Sequence, residues 1–133
     1  MKLSSYVRSD ILIVPTVLSE AGTVDSSAYL DPVDYDGCEI LVTTKVAQGK
    51  KATVTVLKAS AADGTGKAVT TNVSEVTAPA DAALTTLHKL DVTPDKTKRF
   101  IGVRVVTDDA TAQISAVAIR YPGRYSDATM SKD

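Results

Sequence analysis

Residues Arg99 to Tyr121 read RFIGVRVVTDDATAQISAVAIRY, and the fold class depends on how this stretch is parsed. Ile101, Val103 and Val105 recur at every second position with Arg104 between them, which is the period of a half-buried strand and not of a helix. Asp108 and Asp109 supply turn chemistry. From Ala112 onward Ile114, Ala116 and Ala118 share one face and Gln113 and Ser115 the other, as in the returning strand of a hairpin. The pair is the most apolar and most β-branched part of the chain, and it predicts an all-β domain with no visibly reactive residue.

Working outward, Cys38 to Val46 alternates cleanly, with Ile40, Val42 and Val46 facing in and Glu39, Thr43 and Lys45 facing out. The run ATVTVLK from Ala52 to Lys58 follows the loop Ala47 to Lys51 and predicts a second hairpin. Ser60 to Lys67 reads as a flexible tip, Glu20 to Ser27 as a loop around Gly22, and Val69 to Val76 as a short strand. Pro79 to Leu90 carries leucines at helical spacing, yet Leu90 continues into Val92 in strand fashion. We read a loop to about Thr86 and a strand from Leu87 to Val92. Asp10 to Leu18 is apolar at both parities, and Pro15 removes a ladder donor, which argues for a sheet edge covered by a neighbour. Seven or eight short strands with turn signals between them predict a single antiparallel β-sandwich or jelly-roll-like domain over residues 10–122, with polar arms at 1–9 and 123–133.

Composition narrows the function classes. The chain has 133 residues, no Trp, one Phe and a net charge of −1, so it offers no basic excess for a phosphate backbone, and nucleic acid is not an expected partner. Its longest apolar run, Ile11 to Leu18 interrupted by Pro15, falls far short of the ~20 residues that span a bilayer, so no membrane is expected either. The N-terminus lacks an apolar segment with a small-residue cleavage site, which predicts synthesis in a cytoplasm. Cys38 stands alone, either as a buried small hydrophobe, the reading we take, or as a reactive thiol.

Chemistry is sparse. His88 is the only histidine, no nucleophile motif surrounds any serine, and His88 shares a predicted face with Leu90 and Val92, so a packed histidine is favoured over a catalytic base. The chain is read as a non-enzyme with no cofactor and no metal site. Aspartates cluster at Asp31, Asp34 and Asp36 and at Asp108 and Asp109. Turn capping is the preferred explanation and an oxygen-rich calcium loop the alternative. GTGK at Gly64 to Lys67 is too short for a phosphate loop.

One pattern points to assembly. In the last strand Val117, Ile119 and Tyr121 are apolar on the face opposite Ala116 and Ala118. Either a β-bulge near residue 116 switches the faces, or the outer face is covered by the chain's own arm or by another subunit.

Three stretches resemble the small β-sandwich decoration, cement or spike-type proteins encoded among the head genes of tailed bacteriophages. They are VDYDGCEILVTTKVAQG at 33–49, TVTVLKASAADGTG at 53–66 and KRFIGVRVVTDDATAQISAVAIRYPGRY at 98–125. The resemblance implies a virion structural protein on the capsid surface, with the major capsid protein of a phage head and further copies of itself as partners, a trimer among the candidates. The contact candidates are Tyr6, Arg8, Arg120, Tyr121, Arg124 and Tyr125, since Tyr and Arg most often anchor interfaces, together with Leu12, Val14, Val117 and Ile119 of the doubly apolar first and last strands. The competing readings are a carbohydrate- or receptor-binding β-sandwich module and a tail or connector component of the same virion.

Overall fold

The computed structural model describes residues 8–32, 35–92 and 98–122. Tyr6, Arg124 and Tyr125 lie outside them, as do the side chains of Arg8 and Tyr121, whose backbones are described. Eight strands follow in order: β1 Arg8–Val17, β2 Gly22–Asp25, β3 Tyr35–Val46, β4 Lys51–Ala59, β5 Ala68–Thr77, β6 Leu84–Val92, β7 Phe100–Thr107 and β8 Gln113–Pro122. They form two antiparallel four-stranded sheets, β1-β8-β3-β6 and β2-β7-β4-β5, the strand order of a jelly roll. The alternation read from sequence sets the core. Ile40, Val42, Ile114, Ala116 and Ala118 of the first sheet meet Val54, Val56, Ile101, Val103 and Val105 of the second, each at most 2% exposed. Gly22 to Asp25, read above as loop, is a short strand on β7, and β6 starts three residues earlier than expected, at Leu84.

Neither hairpin anchoring the sequence reading exists. β7 lies in the second sheet against β2 and β4, while β8 lies in the first between β1 and β3. Likewise β3 pairs with β6 and β8, and β4 with β5 and β7. Both connections are arches that cross between sheets. Period-two patterning specifies which side of a strand faces the core but not which strand lies beside it. Crossing sets Ile101, Val103 and Val105 in the layer facing Ile114, Ala116 and Ala118, so one core buries both apolar sets.

The arches brace each other. Asp109 Oδ2 accepts from the Ala47 backbone N–H at 2.7 Å, Asp109 Oδ1 accepts from the Thr111 N–H (2.8 Å) and hydroxyl (2.9 Å), and Asp108 Oδ1 accepts from the Lys51 N–H at 2.8 Å. The 108–109 carboxylates are thus occupied by turn and loop donors. Asp31 pairs with Arg99 at 3.0 Å, and the side chains of Asp34 and Asp36 lie outside the described residues.

Candidate docking surface

The sheet β1-β8-β3-β6 has one face in the core and one outside, and the registers place its outward side chains in rows across the strands. Ser9, Ile119, Glu39 and Asp91 form one row; Ile11, Val117, Leu41 and Lys89 form the next. Ser115, Thr43 and Leu87 follow, and then Val17, Gln113, Lys45 and Thr85. Three adjacent strands therefore carry Ile11, Val117 and Leu41 side by side, with Ile119 and Leu87 in the flanking rows. Ile11 is 59% exposed and Leu87 52%, while Val117, Leu41 and Ile119 are half-buried by one another and by their neighbours. Charges sit only at the β3 and β6 end of these rows, acidic at Glu39 and Asp91 and basic at Lys45 and Lys89.

Beside this apolar row the face dips into a shallow groove of about 460 Å³ between the β1 edge, at Pro15 and Val17, and Thr43, Lys45, Thr85 and Gln113. Val14 and Val17 on that edge are 66% and 65% exposed.

The outer face of the other sheet also exposes valines, but Val69, Val73 and Val106 stand in separate rows, Val73 beside Thr55 and Arg104 and Val106 beside Thr53 and Glu75. At one end the ring of Tyr29 packs with Leu57, Ala59 and Phe100, so the chain's own 26–32 segment covers it. Asp25 ties that region down through Arg104 (2.7 Å) and Lys67 (2.7 Å), and the hydrogen bond from Arg104 does most to hold its carboxyl below the usual carboxylate value. The 60–67 tip expected to be flexible is bound in this corner, by the Lys67 ion pair and by Lys98 donating to the Gly66 carbonyl at 2.6 Å.

Among the contact residues expected from sequence, Val14, Val117 and Ile119 do face outward. Leu12 does not: it is 1% exposed and belongs to the core. Ile11 points outward opposite Val117, so alternation turns Leu12 inward; a bulge then sets Ile13 opposite the inward Ala116, so that Leu12 and Ile13 are both buried and Val14 comes out, and a second slip follows before Thr16. The bulge considered for β8 near residue 116 is absent, since β8 runs in unbroken register with β3 from Tyr121 to Gln113. Pro15 does lie on an edge strand. Arg120 is engaged within the chain, its guanidinium 2.7 Å from Asp10 and donating to the Asp31 carbonyl at 3.1 Å. Leu41 and Leu87, which carry the row across β3 and β6, were missed. Leu41 had a readable signal, being apolar at the same parity as Glu39 and Thr43.

The remaining reactive groups are packed. Cys38 is 2% exposed, and burial pushes its thiol up to about 11. His88 is 2% exposed, with Nε2 hydrogen-bonded to the Thr44 hydroxyl (2.9 Å) and Nδ1 to the Ser74 hydroxyl (2.8 Å). Among the described residues no group of three or more His, Cys, Asp or Glu side chains converges where a metal ion could sit.

No protein-family model matches the chain, and no curated protein sequence matches it. Solved structures do. A structure of the infectious bursal disease virus Gx strain superposes with a TM-score of 0.53 at 13% identity, over 89% of this chain and 33% of that one. The infectious bursal disease virus VP2 subviral particle gives 0.52 at 15%, over 90% and 34%. The PBSX exported protein XepA gives 0.52 at 13%, over 93% and 39%. The likeness is one of fold. This chain spans about a third of the length of these three solved chains, two of which come from infectious bursal disease virus.

Proposed function

We propose that this chain is a structural protein of a phage virion that decorates or cements the head shell, docking without covalent chemistry through the outer face of the β1-β8-β3-β6 sheet. The observation that carries the reading is the apolar row Ile11–Val117–Leu41, flanked by Ile119 and Leu87, on a face that no described part of the chain covers. Apolar groups gathered on one face of a sheet are the mark of an interaction site. The jelly-roll likeness to viral particle proteins and the resemblance of three stretches to phage head proteins support the same reading. Docking across neighbouring shell subunits would add buried area that opposes internal pressure, and further copies of the chain would share the lattice.

The test is co-sedimentation of the purified protein with phage heads lacking it, alongside its particle mass in solution. Covering the exposed halves of Ile11 and Leu87 is worth about 1 kcal/mol each, so the Ile11→Ala, Leu87→Ala double variant should bind about 30-fold more weakly. Its unfolding free energy should move by less than about 1 kcal/mol, because both side chains are already half in water. Undiminished binding by that variant, or sedimentation with tails and not heads, would refute the assignment.

A further inference from the structure

The two sheets meet along one open side at β5 and β6, which run close together without pairing, since each is the edge strand of its own sheet. Two side-chain links cross this seam: Ser74 of β5 to His88 Nδ1 of β6, and Asn72 of β5, whose amide donates to the Asp91 carbonyl of β6. A slip in the β4–β5 register makes the second link. Thr55 faces Val73 but Leu57 faces Val69, so residues 70–72 bow out against Val56. Thr70 anchors the bow by donating to the Val56 carbonyl at 2.9 Å, and Asn72 is carried toward β6. A crevice of about 190 Å³ lined by Val56, Thr70, Asn72, Asp91 and Val92 opens beside it.

His88 is the innermost part of this seam, held from the core side by Thr44 of β3, which is fully buried, and from the seam side by Ser74. We propose that the β5–β6 seam is an acid-operated closure: a proton on His88 places a charge between the sheets that no carboxylate among the described residues receives, and β5 moves off β6 to let water reach the ring.

Among the described residues, the groups around the ring leave that charge without an acidic partner. On β3, Val42 is the register partner of His88 and Lys45 points to the outer face; on β6, Lys89 and Asp91 also point outward. On β5, Glu75 is exposed and accepts from the Thr53 hydroxyl of β4 at 2.9 Å; on β4, Val54 opposes Ser74, and Lys58 lines the crevice. A neutral imidazole satisfies both hydroxyls, and burial holds its pKa below the usual 6.5. Stability from the neutral ring is therefore complete above 6.5 and is lost as pH falls through the lower folded-state value. Asn72, the bow and the crevice place the yielding part in β5, not in the paired core strands.

Because His88 is the only histidine, its ring protons give an unambiguous NMR titration on the full chain. Amide exchange, corrected for the intrinsic effect of pH, is followed in parallel from about pH 8 to about pH 4. The expected result is a midpoint below 6.5 with β5 amides losing at least ~10-fold protection across it while Ile101 to Val105 of β7 hold theirs. H88Q should abolish the pH dependence in β5. Should H88Q not fold, S74A removes only the link to β5 and should leave β5 exchanging fast even at neutral pH. A midpoint at or above 6.5, β5 protection that ignores pH, loss of protection in all strands together, or S74A with wild-type β5 protection would each overturn the proposal.

Discussion

Replacing Asp109 by alanine tests whether the two inter-sheet arches hold each other in place. The carboxylate is 5% exposed and accepts three hydrogen bonds, at 2.7 Å from the Ala47 N–H and at 2.8 and 2.9 Å from the Thr111 N–H and hydroxyl. Hydrogen bonds to a charged group contribute about 1.5–3 kcal/mol each. The two from Thr111 are local to an exposed turn, where water can substitute, whereas the one from Ala47 spans 62 residues and leaves a half-buried donor when lost. The expected cost is about 3 kcal/mol in urea unfolding at neutral pH. The control is Asp108→Ala, which removes one exposed bond to the Lys51 N–H and should cost less than about 1 kcal/mol. Burial works to raise the Asp109 carboxyl, but the Thr111 and Ala47 N–H groups, the Thr111 hydroxyl and the Lys50 charge outweigh it and hold the group below its usual value of 3.8. The contribution is therefore complete above 3.8 and is lost as pH falls through the folded-state value, so wild type and variant should converge in acid. Equal losses for the Asp108 and Asp109 variants, or a gap that does not narrow in acid, would refute the bracing argument.

Other consequences are as direct. A Cβ on Gly102 would lie 2.5 Å from the Ser26 hydroxyl and 2.5–2.6 Å from the Tyr29 ring, so Gly102→Ala should destabilise by about 2 kcal/mol, and the penalty should shrink in a Tyr29→Ala background, as a double-mutant cycle would show. Cys38, with its thiol near 11 and its side chain sealed in, should react with a thiol reagent at mildly alkaline pH only as fast as the protein unfolds, and prompt labelling of the native chain would contradict its packing.

Alternation is a property of an extended backbone, and so the side of each strand that faces the core could be read from residues next to one another. Val103 with Val105, Ile40 with Val42 and Ala116 with Ala118 are buried as their parity requires, and Val117 and Ile119 stay outside for the same reason. The edge position of β1 was legible from Pro15. Neighbour choice was not. The apparent hairpins at 38–58 and 100–121 are arches because pairing is decided by contacts between residues far apart in the chain, such as Asp109 with Ala47. The bulge at Leu12 and Ile13 put Leu12 in the core and Val14 outside although the two share a parity, and the outward row became visible only when β6, β3, β8 and β1 were laid side by side. Short-range geometry dictated which side chains are hidden, while the union of two sheets around one core decided which of the outward ones stand together.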